Sequence, residues 1–187
     1  MSPELRQAPE WVIRKWLNTD EDICVQSLRG KVIAAFAFQM LCPGCVEHSI
    51  PQARRVHALF GGEDVAVVGL HTVFEHHIAM GEEALKAFAH EYNLTFPIGI
   101  DTPSGDDKDP IPQTMRLYNM GGTPTLLLID RQGRLRKQKM GHEHDMVLGA
   151  ELMALIREEG AGDSSLAGGR GGEAGVCIPG QGCEGGG

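Results

Sequence analysis

The chain has 187 residues, 42% hydrophobic and 22% charged, enough for one globular domain whose core needs no staples. Its formal net charge of −8 opposes a phosphate-neutralising surface, so neither a nucleic-acid partner nor adhesion to anionic membrane is expected. No stretch approaches the roughly 18–20 apolar residues that span a bilayer, and Met1-Ser2-Pro3-Glu4-Leu5-Arg6 lacks the basic-then-apolar pattern of a secretory leader, which makes the cytoplasm the expected setting.

Residues 1–9 read as an N-terminal extension and 10–159 as the folded domain. Residues 10–17 and 23–28 look like two short strands around the turn-like Asn18-Thr19-Asp20, a predicted hairpin. The continuous apolar run 31–38 predicts a strand buried on both faces. Val46, Ile50, Ala53, Val56 and Phe60 then recur every three or four residues, predicting an amphipathic helix that stops at Gly61-Gly62. A second buried strand is expected at 65–70, a helix at 82–92 and a short strand at 96–100. The acidic, Pro-containing stretch 101–112 reads as a loop, and 113–119 as a short helix. Residues 125–130 and 135–140 predict a hairpin around Arg131-Gln132-Gly133, and 143–158 a closing helix. Strands alternating with helices imply an α/β domain with a mainly parallel sheet covered on both faces. The last 28 residues, 160–187, hold 12 of the 25 glycines and show no strand or helix period, which predicts a flexible tail.

Between the first buried strand and its helix stands Cys42-Pro43-Gly44-Cys45. Functional groups in such sheets gather beyond the carboxyl ends of the strands. A helix N-terminus presents unpaired N–H groups and partial positive charge, which favour a thiolate over a thiol. Pro43 suits the first helical turn, where its missing N–H costs nothing. The two-residue spacing sets Cys45 nearly one turn further on and less exposed. The pattern therefore predicts Cys42 as nucleophile and Cys45 as the resolving thiol of a disulfide exchange.

Four segments, spread over residues 10–158, resemble the thioredoxin superfamily, and within it the TlpA/ResA/DipZ-type thioredoxin-like proteins and related redoxins. They are Ser27-Leu28-Arg29-Gly30-Lys31, Cys42-Pro43-Gly44-Cys45, Val68-Gly69-Leu70-His71-Thr72 and Gly122-Thr123-Pro124-Thr125 running on to Gly133. The resemblance implies a three-layer thioredoxin fold: a central mixed sheet with an N-terminal β-hairpin and a helical insertion. It implies a cis bond at Pro124, a loop there that pairs with an extended substrate segment, and Thr123 facing the cysteine pair. Pro43, Gly44, Thr123 and His71 become active-site neighbours. Three positions depart from the family's pattern: Leu41 replaces the usual aromatic before the first cysteine, Phe36 the usual buried acid, and Pro51 falls six residues after Cys45 rather than five.

The activity implied is thiol–disulfide oxidoreduction on a protein or small-molecule disulfide. No flavin or nicotinamide fingerprint is present, so no cofactor is expected and recycling falls to an external thiol reductant of thioredoxin or glutathione type. Two alternatives stand beside it. In a peroxiredoxin-like peroxidase Cys42 would attack peroxide, but Gln39 and Ala35 occupy the positions where that family places threonine and proline. In a non-enzymatic module, Cys42, Cys45, Cys177 and Cys183 would bind one structural zinc. Cys177 and Cys183 are also possible auxiliary thiols, since a 17-residue flexible arm reaches roughly 20–25 Å. Cys24 reads as a small buried apolar residue, and His48 as a solvated helix position. His76-His77 and His142-x-His144 lack a cysteine or carboxylate framework, so no metal site is expected.

Overall fold

The computed structural model describes residues 5–106 and 108–158. The stretch 160–187, with Cys177 and Cys183, lies outside them. The apolar run forms β2 (Val32–Phe38), all seven residues of which are buried. Around it lie β1 (Ile13–Leu17), β3 (Val65–His71), β4 (Ile98–Asp101), β5 (Thr125–Ile129) and β6 (Leu135–Met140), with helices α1 (Ile50–Phe60), α2 (Glu82–Glu91), α3 (Gln113–Leu117) and α4 (Asp145–Arg157). The six strands make one sheet in the order β1-β4-β3-β2-β5-β6. The pairs β2/β3 and β3/β4 are parallel; β1/β4, β2/β5 and β5/β6 are antiparallel. The α/β architecture and the mixed central sheet implied by the resemblance are observed, but the sheet is not mainly parallel: three of its five strand pairs are antiparallel.

Strand periodicity divides the core in two. Val32, Ala34, Phe36 and Phe38 pack with Ile50, Ala53 and Val56 of α1, Leu85 and Ala89 of α2, and Leu148, Leu152 and Leu155 of α4. Ile33, Ala35 and Ala37 face the opposite way, toward Met115 of α3 with Trp11 and Val25. Phe36, at the position of the family's buried acid, is simply part of the first cluster. Close packing also fixes Gly69 in β3, where a Cβ would stand 3.2 Å from Phe38, Phe96 and Ile98 side chains.

The predicted N-terminal hairpin does not form. β1 pairs with β4, from Ile13 opposite Asp101 to Leu17 opposite Ile98, and residues 23–28 are turns rather than a strand. Their backbone is claimed locally. The Glu10 carboxylate accepts the N–H groups of Val25 and Gln26 at 2.7 and 3.0 Å, and the Ser27 hydroxyl donates to the Cys24 carbonyl at 2.9 Å while accepting the Cys24 N–H at 3.0 Å. Such side-chain bonds compete directly with a strand ladder. The apolar residues that suggested a strand are still used, since Val25 is buried in the second cluster. Cys24 is half-buried on this turn, its sulfur accepting the Ser27 N–H. Residues 6–9 of the extension lie along the β5–β6 turn, where Ala8 N–H donates to Gly133 and Leu135 N–H to Arg6.

Candidate active site

β2 ends at Phe38, and the chain turns through residues 39–42 before helical backbone begins at Pro43. Cys42 therefore occupies the N-cap position. Its carbonyl accepts the N–H of Cys45 at 3.0 Å and of Val46 at 3.1 Å. Its sulfur accepts the Cys45 N–H as well, at 3.3 Å, as an N-cap side chain does for the third residue of a helix. Negative charge on this sulfur is thus met by a backbone donor and by the positive end of the helix. Pro43 sits in the first helical position, the one place in a helix where its missing N–H is harmless.

The helix does not run evenly from there. Residues Cys45–Ser49 form a π-helical turn, closed by the Ile50 N–H on the Cys45 carbonyl, and α1 follows directly. A π turn accommodates one additional residue. That is the residue by which Pro51 is displaced from its expected spacing, so α1 keeps its packing against the sheet with Ile50, Ala53 and Val56 buried.

Across from the cysteines runs the loop between α3 and β5. The Thr123–Pro124 peptide bond is cis. The Thr123 carbonyl lies 3.5 Å from the Cys42 sulfur and accepts its S–H. A Cβ built on Gly44 would be 3.5 Å from Pro124 Cδ, so the motif packs directly on the proline. The structure thus brings together Cys42, Pro43, Gly44, Cys45, Thr123 and Pro124.

The two sulfurs differ in environment. Cys42 is partly exposed, whereas Cys45 is fully buried. Burial first, and then its hydrogen bond with Cys42, pushes the Cys45 thiol up to about 12, against the pull of the Gln39 backbone and the Thr123 hydroxyl. Cys45 therefore keeps its proton at neutral pH.

His71 ends β3 opposite Phe38 in the parallel ladder, with the two rings 5.4 Å apart. It is buried, its Nε2 has no hydrogen-bond partner, and no hydrogen bond among the described residues joins it to either sulfur. Burial, then the charge of Arg14, lowers its pKa to about 4. His48 is half-exposed on the π turn, its ring 5.0 Å from that of His142, and His142 is 5.9 Å from His144. Among the described residues no three His, Cys, Asp or Glu side chains are disposed to hold a metal.

Sequence reasoning used Gln39 only to weigh against a peroxidase and did not single out Glu75. Gln39 is 1% exposed and reaches both the Thr123 hydroxyl and the Glu75 carboxylate. The signal available was a lone amide closing an otherwise apolar run directly before the cysteines.

Comparison with known proteins agrees with this geometry. The AhpC/TSA family model matches residues 6–138. The chain belongs to the AhpC/TSA family. A thiol-disulfide oxidoreductase ResA of Geobacillus kaustophilus is 27% identical over 132 residues, and the match takes in 70% of this chain but 65% of that relative. The ResA of Geobacillus thermodenitrificans is also 27% identical, over 58% of this chain and 54% of its own length. The chain therefore spans less than two thirds of these curated relatives. Among solved structures, the thioredoxin-like superfamily protein SPOA0173 is 51% identical with a TM-score of 0.79, covering 82% of this chain and 98% of that one. A thiol-disulfide isomerase from Corynebacterium glutamicum is 44% identical with a TM-score of 0.76, covering 81% and 98%. This AhpC/TSA family member has the thioredoxin-like fold that its motifs imply.

Proposed function

We propose that this protein is a dithiol–disulfide oxidoreductase working through Cys42 and Cys45. One observation carries the reading. The sulfur of Cys42 caps a helical N-terminus at 3.3 Å from the Cys45 N–H and faces the Thr123 carbonyl of a cis-proline loop at 3.5 Å, with the second thiol buried behind it. The names of the ResA relatives and of the Corynebacterium isomerase support the same chemistry.

Cys42, as thiolate, attacks one sulfur of a substrate disulfide, and the other substrate sulfur leaves as a thiol after taking a proton. The product is a mixed disulfide on Cys42. Cys45 then attacks the Cys42 sulfur, its proton passing to the departing substrate thiolate. The substrate has gained two electrons and two protons, and the protein holds a Cys42–Cys45 disulfide. An external thiol reductant of thioredoxin or glutathione type reverses that change. The substrate is a disulfide-bearing protein or small molecule, lying in extended form along Thr123 and Pro124. No step draws on a cofactor.

Cys42→Ser is expected to reduce insulin disulfides no faster than the uncatalysed background. Cys45→Ser is expected to accumulate a mixed disulfide that disappears on adding dithiothreitol, read by non-reducing gel and mass spectrometry. A Cys42→Ser protein with full activity overturns the proposal. Membership of the AhpC/TSA family supports peroxide consumption as a second reading, and a peroxide assay with a thiol donor separates the two. Against it, the Gln39 side chain is committed to Phe74, Glu75 and Thr123. The zinc reading needs Cys177 and Cys183, which lie outside the described residues; metal analysis of the reduced full chain decides it.

A further inference from the structure

Three imidazoles line up on the surface beside the exchange centre, and neither the fold nor the proposed chemistry uses them. The row starts at the substrate loop. The Gly141 N–H donates to the Pro124 carbonyl at 2.8 Å, which ties the end of β6 to the cis-proline; the carbonyl just before that proline faces the Cys42 sulfur. His142 is the next residue, its Cα about 3.8 Å beyond that of Gly141. The His142 ring lies 5.0 Å from that of His48, which stands three residues after Cys45 on the π turn, and 5.9 Å from that of His144. All three histidines reach solvent. The row therefore links the two segments that frame Cys42, the helical turn after it and the loop after β6, and borders the path of a disulfide laid along Thr123 and Pro124.

Histidine is the side chain whose charge ordinarily changes between pH 5 and 8, whereas carboxylates and lysines keep theirs. Most of the fixed charges around the row are already matched. Asp145 of α4 receives Arg55 of α1 at 2.9 Å. Glu143, in the loop between β6 and α4, receives Lys137 of β6 at 2.5 Å, and Lys137 also holds Glu151 of α4 at 2.6 Å. Lys139 lies two residues further along β6. Glu75 reaches the cis-proline loop through Gln39. Among the described residues, Glu47 is the carboxylate that meets the row, 4.0 Å from His48 Nε2. Protonation of the row thus sets several positive charges against one carboxylate, in a chain of formal charge −8. Neighbouring imidazolium rings repel, and an anion placed beside them relieves that repulsion.

We propose that His48, His142 and His144 form a specificity rim: as pH falls below neutrality they select disulfides that carry a carboxylate close to the S–S bond over disulfides that carry a cation there. This rests on the dithiol reading above. The exchange itself is balanced. The Cys42 thiolate displaces one substrate sulfur, Cys45 displaces the other, and a Cys42–Cys45 bond replaces the substrate S–S bond. The substrate gains two electrons and two protons, one proton from solvent and one from Cys45. The three histidines form no bond to the reacting atoms and supply no proton; they act through their charge on the group that flanks the substrate disulfide.

The test uses the full chain carrying Cys24→Ser, Cys177→Ser and Cys183→Ser, reduced beforehand, so that only the pair reacts. Its oxidation by 3,3′-dithiodipropionate, a dianion, and by cystamine, a dication of similar length, is followed by acid quench and mass spectrometry. Both probes keep their charge between pH 7.5 and pH 5.5, because carboxylates titrate near 4 and alkylamines well above this range. The ratio of the two rate constants cancels the titration of Cys42 itself. At low salt the dianion-to-dication ratio is expected to rise about tenfold from pH 7.5 to pH 5.5, the size that a few unit charges produce across a water-exposed rim. About 0.5 M salt should cut the rise to less than about twofold. The triple variant His48→Asn, His142→Asn, His144→Asn is expected to hold the ratio within about twofold over the same range. His142→Asn alone removes the central ring and should leave a rise of about fourfold, which keeps the test decisive if the triple variant does not fold. A flat ratio in the parent, a rise that salt leaves intact, or a full rise in the variants overturns the proposal. Failure of the dithiol reading looks different: the parent pair would then form no Cys42–Cys45 disulfide with either probe.

Discussion

At the scale of single residues, the site joins side chains whose environments drive them apart chemically. Cys42 and Cys45 are three residues apart, yet one is partly exposed at a helix N-terminus and the other is buried with its thiol pushed up to about 12. His71 is a second example and gives a prediction about stability. Its imidazole is lowered to about 4, chiefly by burial, whereas in an unfolded chain it titrates near 6.5. Between those values the unfolded chain binds a proton that the folded one refuses. Stability therefore rises with pH through this window and is lost as pH falls from about 6.5 toward 4, by about 3 kcal/mol from this group. His71→Phe keeps a ring against Phe38 and removes the titration, along with a buried nitrogen that lacks a partner. Urea unfolding at pH 7 and pH 4.5 should show a smaller acid loss for the variant than for the parent; equal losses would mean that His71 does not carry this dependence. The sequence placed His71 correctly at the end of a strand, but which way its ring points depends on the parity of β3 against α2, which no local pattern contains.

At the scale of elements, strands and helices were readable wherever one period dominated. The all-apolar β2, the run at Val65 and the three-to-four spacing of α1 have few alternative solutions, and all three form. Two features were not readable, for the same reason: a backbone hydrogen bond had two possible partners. At residues 23–28, Glu10 takes N–H groups that a hairpin needed. At Cys45–Ser49, a π turn takes up the spacing that an α-helix would have left out of phase with Pro51. Asp101 is a third long-range capture, and it carries a prediction. At the end of β4 its carboxylate accepts the N–H groups of Thr114 and Met115 at 2.8 and 3.0 Å, and the Thr72 hydroxyl at 3.0 Å. It thus fastens the first turn of α3 to the carboxyl ends of β3 and β4, directly before the chain runs on to Thr123 and Pro124. Asp101→Ala leaves three buried donors without their acceptor, at about 1–3 kcal/mol each, so a loss of about 3 kcal/mol or more is expected in urea unfolding. A loss below about 1 kcal/mol, within the range of ordinary surface changes, would show that water or a shifted backbone takes the carboxylate's place.

On the scale of the whole molecule, the groups proposed for exchange, Cys42, Cys45, Thr123 and Pro124, all fall within the segment matched by the family model. Both of the more similar solved structures are covered almost completely, at 98%, yet they account for only 82% and 81% of this chain. The family model ends at residue 138, so Cys177 and Cys183 stand outside the segment it matches. Composition changes further on, where 12 glycines in 28 residues end the periodic pattern near Gly160. What the two cysteines add is a question about electron flow rather than about the exchange centre. On the proposed reading, in which the exchange is carried by Cys42, Cys45 and the cis-proline loop, Cys177→Ser/Cys183→Ser in the full chain should reduce insulin unchanged when dithiothreitol is the donor. A bulkier protein donor makes the sharper comparison, because it must itself dock at Thr123 and Pro124. If the double variant matches the parent with a thioredoxin-type donor as well, electrons enter at Cys42 without an intermediary. If it slows with that donor alone, the second pair relays electrons to the first, and the working unit is four thiols. Slowing with both donors would overturn the proposal that Cys42, Cys45 and the cis-proline loop carry the exchange by themselves.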